Sequence, residues 1–169
     1  MSVMRYRLII TPRSETVTVT PPAPPPEEEY EMPFYPAVDV DTKIGNHGAI
    51  ILPDAAEHTI TMEFMVPPNI DSITKAVIVV VSAATGNLYW GVATDFAQLD
   101  AGESYNTNTD SIAANATAVI ANKMTSLNII TALTAATSYD IVGLDFTRYA
   151  DNVLDTINDV VYFIGAYIE

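Results

Sequence analysis

The chain has 169 residues, 49% of them hydrophobic, with a mean hydropathy of +0.22. That is enough apolar material for one folded domain plus an appendage, and it excludes wholesale disorder; the absence of cysteine excludes disulfides, thiolate metal sites and cysteine nucleophiles. The formal net charge is −14, and from residue 14 onward it is −17, because Arg5, Arg7 and Arg13 precede the first acid; a surface of that sign repels nucleic-acid phosphates.

In chain order, Tyr6 to Thr11 and Thr16 to Thr20 read as short strands, the second a pure alternation of β-branched residues. Leu8-Ile9-Ile10 is too short for a signal peptide, and no apolar run reaches the roughly 18 residues of a membrane-spanning helix. Pro21 to Pro26 is a polyproline spacer rising about 3.1 Å per residue; recognition by a proline-binding partner is the functional alternative. Tyr30 to Pro36 suits a segment lying along the domain or along a neighbouring subunit. Asp39 and Asp41 share one face if extended, as an ion site or as a charged edge that blocks stray pairing.

All 11 prolines fall between Pro12 and Pro68. Proline removes a ladder donor, so the front of the chain is an arm and linker, and the back is uninterrupted sheet. The expected division is an attachment or oligomerisation arm over residues 1–48 and a β-sandwich over 49–169. Strand signals run through Ala49–Leu52, Thr59–Val66, Lys75–Ser82, Asn87–Thr94, Thr117–Asn122, Leu127–Leu133, Ile141–Arg148 and Val160–Ile168, with turn signals between them. A short helix starting near Asp110 or Ser111 competes with strand over 110–122. The fold class read from this is all-β: an antiparallel β-sandwich of jelly-roll type with an extended proline-rich N-terminal arm. Alternation assigns Val142, Leu144 and Phe146 to the core. Val77 to Val81 and the last strand are apolar on both faces, which hints at a homo-oligomer.

The catalytic inventory is thin. His47 and His58 lack a nucleophile context, there is no Gly-rich phosphate loop, and carboxylates are too numerous to single out a catalytic pair. No catalytic residue and no cofactor is assigned, and the chain reads as non-enzymatic. Trp90 reads as a core plug, with a sugar-stacking platform of Tyr89 and Trp90 as the functional rival. In the loop 148–159, Asp151, Asp155 and Asp159 are the calcium candidates, although the spacing is not that of an EF-hand. The competing reading is a structural clasp in which Arg148 pairs with Asp151 or Asp155.

The segment from Asp140 to Arg148, then Ala150-Asp151, Asp155-Thr156, Asp159-Val160 and Gly165 to Glu169, resembles the end of a β-sandwich domain recurrent in phage and other viral structural proteins. Pro67, the Gly86-Asn87 turn and Trp90 are placed similarly to that group's midsection. The resemblance covers about residues 50–169 and departs from the group at Tyr149 and in a more apolar loop with Val153, Leu154 and Ile157. It implies a capsid-decorating, turret, head-fibre or tail-fibre protein on the external surface of a virion. The arm, with Arg5, Arg7, Arg13, Pro21 and Pro26, would dock the sandwich to a major capsid protein or another virion component. A trimer is the expected homo-oligomer by analogy; nucleic acid and membrane are not expected partners. The alternative function is a carbohydrate-binding or host-adhesion module using exposed aromatics among Tyr89, Trp90, Tyr105, Tyr149 and Tyr162.

Overall fold

The computed structural model describes residues 34–36, 42–68, 70 and 72–169. The expected arm strands, Arg5, Arg7, Arg13, the spacer with Pro21 and Pro26, and the pair Asp39 and Asp41 lie outside the described residues. The elements are β1 (Phe34–Pro36), β2 (Thr42–Ile44), β3 (His47–Leu52), β4 (Glu57–Met65), β5 (Ala76–Ser82), β6 (Gly86–Gln98), β7 (Asn108–Val119), β8 (Met124–Asn128), a 3-10 turn (Ile130–Ala132), β9 (Asp140–Tyr149) and β10 (Val161–Ile168).

They form two antiparallel sheets. One has the order β2-β3-β10-β5-β8, with β1 paired to β10, and the other the order β4-β9-β6-β7. From β3 onward the chain crosses between the sheets at every connection except the β6–β7 hairpin. This wrapping of β3-β10-β5-β8 over β4-β9-β6-β7 is a jelly roll. β3 pairs with Val161 to Phe163 and β1 with Gly165 to Tyr167, so the two share one edge of β10. The six-stranded sheet therefore recruits residues that precede position 49.

Alternation places the core as the sequence requires. Val142, Leu144 and Phe146 are 0–1% exposed and meet Ile78, Val80, Leu88, Val92 and Phe163 between the sheets. Phe146 stands at the centre, with Trp90 and Phe163 each at a ring-centroid distance of 5.9 Å. In β10 the register shifts between Phe163 and Gly165, and Gly165 takes a φ of 152°, which an L side chain rarely adopts. That glycine bulge returns Ala166 and Ile168 to the core. A second, smaller apolar cluster lies on the opposite side of the six-stranded sheet: Ala49, Val81 and Ile164, with Ile44, Val79 and Tyr162 against them.

Two expected strands are corrected in their bounds. Of the helix and strand that competed over 110–122, the strand is formed, as Asn108–Val119; the expected strand at 117–122 is only its end, and Asn122 turns the chain with a φ of 58°. β7 is an edge strand with β6 as its single neighbour, so its core demand is low and its Thr, Ala and Asn content gives a weak apolar signal. The run 127–133 is also not one strand. β8 ends at Asn128, whose Oδ1 accepts the Ile130 N–H and starts the 3-10 turn. Ile129 and Leu133 are fully buried, so burial produced the strand-like apolar run there.

Candidate functional site

Two features of the sandwich gather polar side chains: a buried clasp at one end and a groove on an outer face. The clasp follows from parity in β9. Arg148 alternates in step with Val142, Leu144 and Phe146, so its side chain enters the interior and is 0% exposed. Its Nε and Nη2 donate to Asp155 Oδ2 and Oδ1 at 3.1 and 3.0 Å. Nη1 donates to the carbonyl oxygens of Leu52, Pro53 and Asp159 at 3.0, 3.2 and 3.0 Å, and Nη2 to that of Ile157 at 2.7 Å. The Asp155 side chain is 1% exposed and also accepts the backbone N–H groups of Tyr89 and Ile157, each at 3.1 Å. One guanidinium thus ties the β3–β4 corner, β6 and the loop 150–160 together, with its donors and its counter-ion satisfied.

The partner is Asp155. Asp151 is exposed and stays outside the clasp. The Asp159 carboxylate accepts its neighbour's N–H, Val160, and only its carbonyl faces Arg148. The calcium candidates Asp151, Asp155 and Asp159 therefore do not converge, and among the described residues no group of three or more His, Asp or Glu is placed to hold a metal. Both oxygens of Asp155 are taken by protein donors, so a cation there would have to displace Arg148.

Trp90 is 3% exposed and points inward, and its indole N–H donates to Thr117 Oγ1 at 2.9 Å. Trp90 is thus the core plug that the sequence suggested, and the rival reading of it as a sugar platform falls. Tyr89 faces the other way, half-buried, with its ring 5.9 Å from that of Tyr149 on the outer face of β4-β9-β6-β7. His47 lies in the six-stranded sheet and His58 in the four-stranded one.

The groove lies on that same outer face, nearer the β6–β7 hairpin, and measures about 810 Å³. Register builds its floor. Glu63, Gly143, Asp95 and Thr109 form one row across β4, β9, β6 and β7; Thr61, Asp145, Ala93 and Ser111 form the next. Tyr105, in the loop between β6 and β7, lines it from above. A second hollow of about 470 Å³ continues it past Gln98, Leu99, Asp100 and Glu103, sharing Glu63, Asp95, Tyr105 and Gly143. Gly143 matters because an added Cβ would sit 2.8 Å from Asp95 Oδ1; its lack of a side chain lets that carboxylate lie across the floor.

Several of the groove's polar groups are already engaged. Asp145 Oδ1 accepts the Thr61 hydroxyl at 2.5 Å, Glu103 accepts the Gln98 N–H at 2.8 Å, and Asp110 accepts the Ser111 N–H and the Thr134 hydroxyl. The carboxylates of Glu63 and Asp95 have no hydrogen bond or ion pair among the described residues. Of this set, the sequence had singled out only Tyr105. The carboxylates come from four strands, β4, β6, β7 and β9, and from the β6–β7 loop, and no local spacing marks them.

No family model and no curated protein matches the chain. Among solved structures it is similar to TmCBM61 in complex with β-1,4-galactotriose, at 10% identity and a TM-score of 0.36, over 72% of this chain and 69% of that one. It is also similar to a carbohydrate-binding module from the glycoside hydrolase family 9 protein Cel9A of Ruminococcus flavefaciens FD-1, at 10% identity and a TM-score of 0.32, over 69% and 97%. At such TM-scores neither likeness bears on what this chain binds. Nothing among them points to a phage or viral family.

Proposed function

We propose that the chain is a non-catalytic module that binds carbohydrate in the groove on the outer face of β4-β9-β6-β7. The observation that carries this reading is Tyr105, 77% exposed and lining both parts of a groove floored by short polar side chains. A pyranose has an apolar C–H face for an aromatic ring and a rim of hydroxyl donors for carboxylate and hydroxyl acceptors. Thr61, Glu63, Asp95, Thr109 and Asp145 offer such acceptors, and the floor strands hold them in fixed rows. Tyr89 and Tyr149 lie farther along the face and extend the aromatic surface.

A glycan array followed by calorimetric titration tests this. The native chain should retain at least one glycan class, and Tyr105→Ala should weaken it roughly three- to tenfold. Absence of binding across the array, or affinity unchanged in Tyr105→Ala, refutes the reading.

A second reading, a virion appendage docked through its N-terminal arm, rests on the sequence resemblance of residues 50–169; the apolar cluster on the outer face of the six-stranded sheet does not speak for it, because Ala49, Val81 and Ile164 are already 0–6% exposed within the chain. In this reading the protein is a trimer on the virion exterior, and it is compatible with glycan binding at the opposite sheet. Light scattering on the full chain, with and without residues 1–20, checks it; a monomer at micromolar concentration in both cases counts against it.

A further inference from the structure

The groove's charge has a consequence for the kind of glycan it can hold. Six carboxylates line its two parts: Glu63, Asp95, Asp110 and Asp145, with Asp100 and Glu103 beyond. Among the described residues no lysine or arginine does. From residue 14 onward the chain has four bases, and the only arginine among them, Arg148, is consumed in the clasp. Lys43, Lys75 and Lys123 lie outside the groove lining.

The carboxylates are not equivalent. Asp145, Asp110 and Glu103 each accept protein donors, whereas Glu63 and Asp95 lack one among the described residues. Both flank Gly143 in the same row, two strand spacings or roughly 9–10 Å apart at Cα. Gly143 has no side chain, so the Asp95 carboxylate lies over it, its Oδ1 2.8 Å from where a Cβ would sit, and Tyr105 lines the same groove. The opening is thus an aromatic surface beside two uncommitted anions on a strand floor.

We propose that this groove selects glycans bearing a free amino group, such as oligomers of 2-amino-2-deoxyglucose, and rejects glycans bearing carboxylate or sulfate. The proposal rests on the carbohydrate reading above. An ammonium group in the Glu63–Asp95 gap gains charge-assisted hydrogen bonds from acceptors that need no rearrangement. An anionic sugar would meet these carboxylates with no lysine or arginine among the described lining residues to offset them. N-acetylation of the amino group removes the charge and leaves the rest of the sugar unchanged, so it isolates this effect.

The test is titration of the full chain with a glucosamine tetramer, its N-acetylated counterpart and a polygalacturonate oligomer, in low and in high salt. In low salt the glucosamine tetramer should bind roughly three- to tenfold tighter than the acetylated one, with the advantage shrinking in high salt. Glu63→Gln combined with Asp95→Asn should abolish the preference. Asp151→Asn, an exposed loop acid outside the groove, should leave it intact and so control for overall charge. Equal affinity for the two tetramers, tighter binding of polygalacturonate, or a preference that survives the double variant overturns the inference while the carbohydrate reading stands. Absence of binding to all three and to every glycan of the array overturns both.

Discussion

Replacing Arg148 with Ala should be the most damaging single change in the sandwich. The side chain is 0% exposed and makes two hydrogen bonds to Asp155 and four to backbone carbonyls. Removing it leaves a buried carboxylate without its counter-ion, which costs about 3–5 kcal/mol, and strands four carbonyls at the sandwich end. For a chain of this size, each kcal/mol lowers Tm by roughly 2–4 °C, so a fall of about 6–20 °C is expected. Urea unfolding followed by Trp90 fluorescence measures it directly, because Trp90 is the sole tryptophan and pairs with Arg148 in register. The pair Arg148→Met with Asp155→Leu sharpens the test. An ordinary buried ion pair can be replaced by apolar residues at little cost. Here the replacement would still orphan four carbonyls and the N–H groups of Tyr89 and Ile157. The double variant should therefore remain at least about 2 kcal/mol below the native chain. A cost under about 1 kcal/mol for Arg148→Ala, or a double variant as stable as the native chain, refutes the argument that this guanidinium organises the sandwich end.

Further expectations concern the calcium reading, the core and the groove. Chelator should leave Tm within about 1 °C, and a drop of several degrees would reinstate an ion in the loop 150–159. Thr117→Val leaves the buried indole N–H of Trp90 without its acceptor, at about 1–3 kcal/mol by urea unfolding. Trp90 emission should be that of a buried indole, and glycan binding should not quench it. Gly143→Ala should change stability by less than about 1 kcal/mol, because the strand gain from losing glycine offsets the shift of a short side chain. It should nevertheless weaken glycan binding by forcing the Asp95 carboxylate off the floor; unaltered affinity would show that this carboxylate's position is immaterial.

Much of the fold was legible in the sequence, for local reasons. The strands that cross the core announce themselves by alternation, as in Val142, Leu144 and Phe146, and the turns by Gly, Pro, Asp and Asn. The same parity sends Arg148 inward, a consequence visible only once Phe146 is known to be core. β7 was harder to read because an edge strand buries little, and the run 127–133 because burial and strand leave the same apolar trace.

What the sequence by itself determined is an all-β chain with a proline-bearing front, an acidic body and an Asp-rich loop beside Arg148. Those features are set by residue type and by spacing within one element. The tertiary structure alone decided which aspartate closes the clasp, and that Glu63, Asp95 and Tyr105 share a groove around Gly143. Each of these depends on strand register between segments far apart in the chain, where a slip of one residue would turn every side chain to the opposite face.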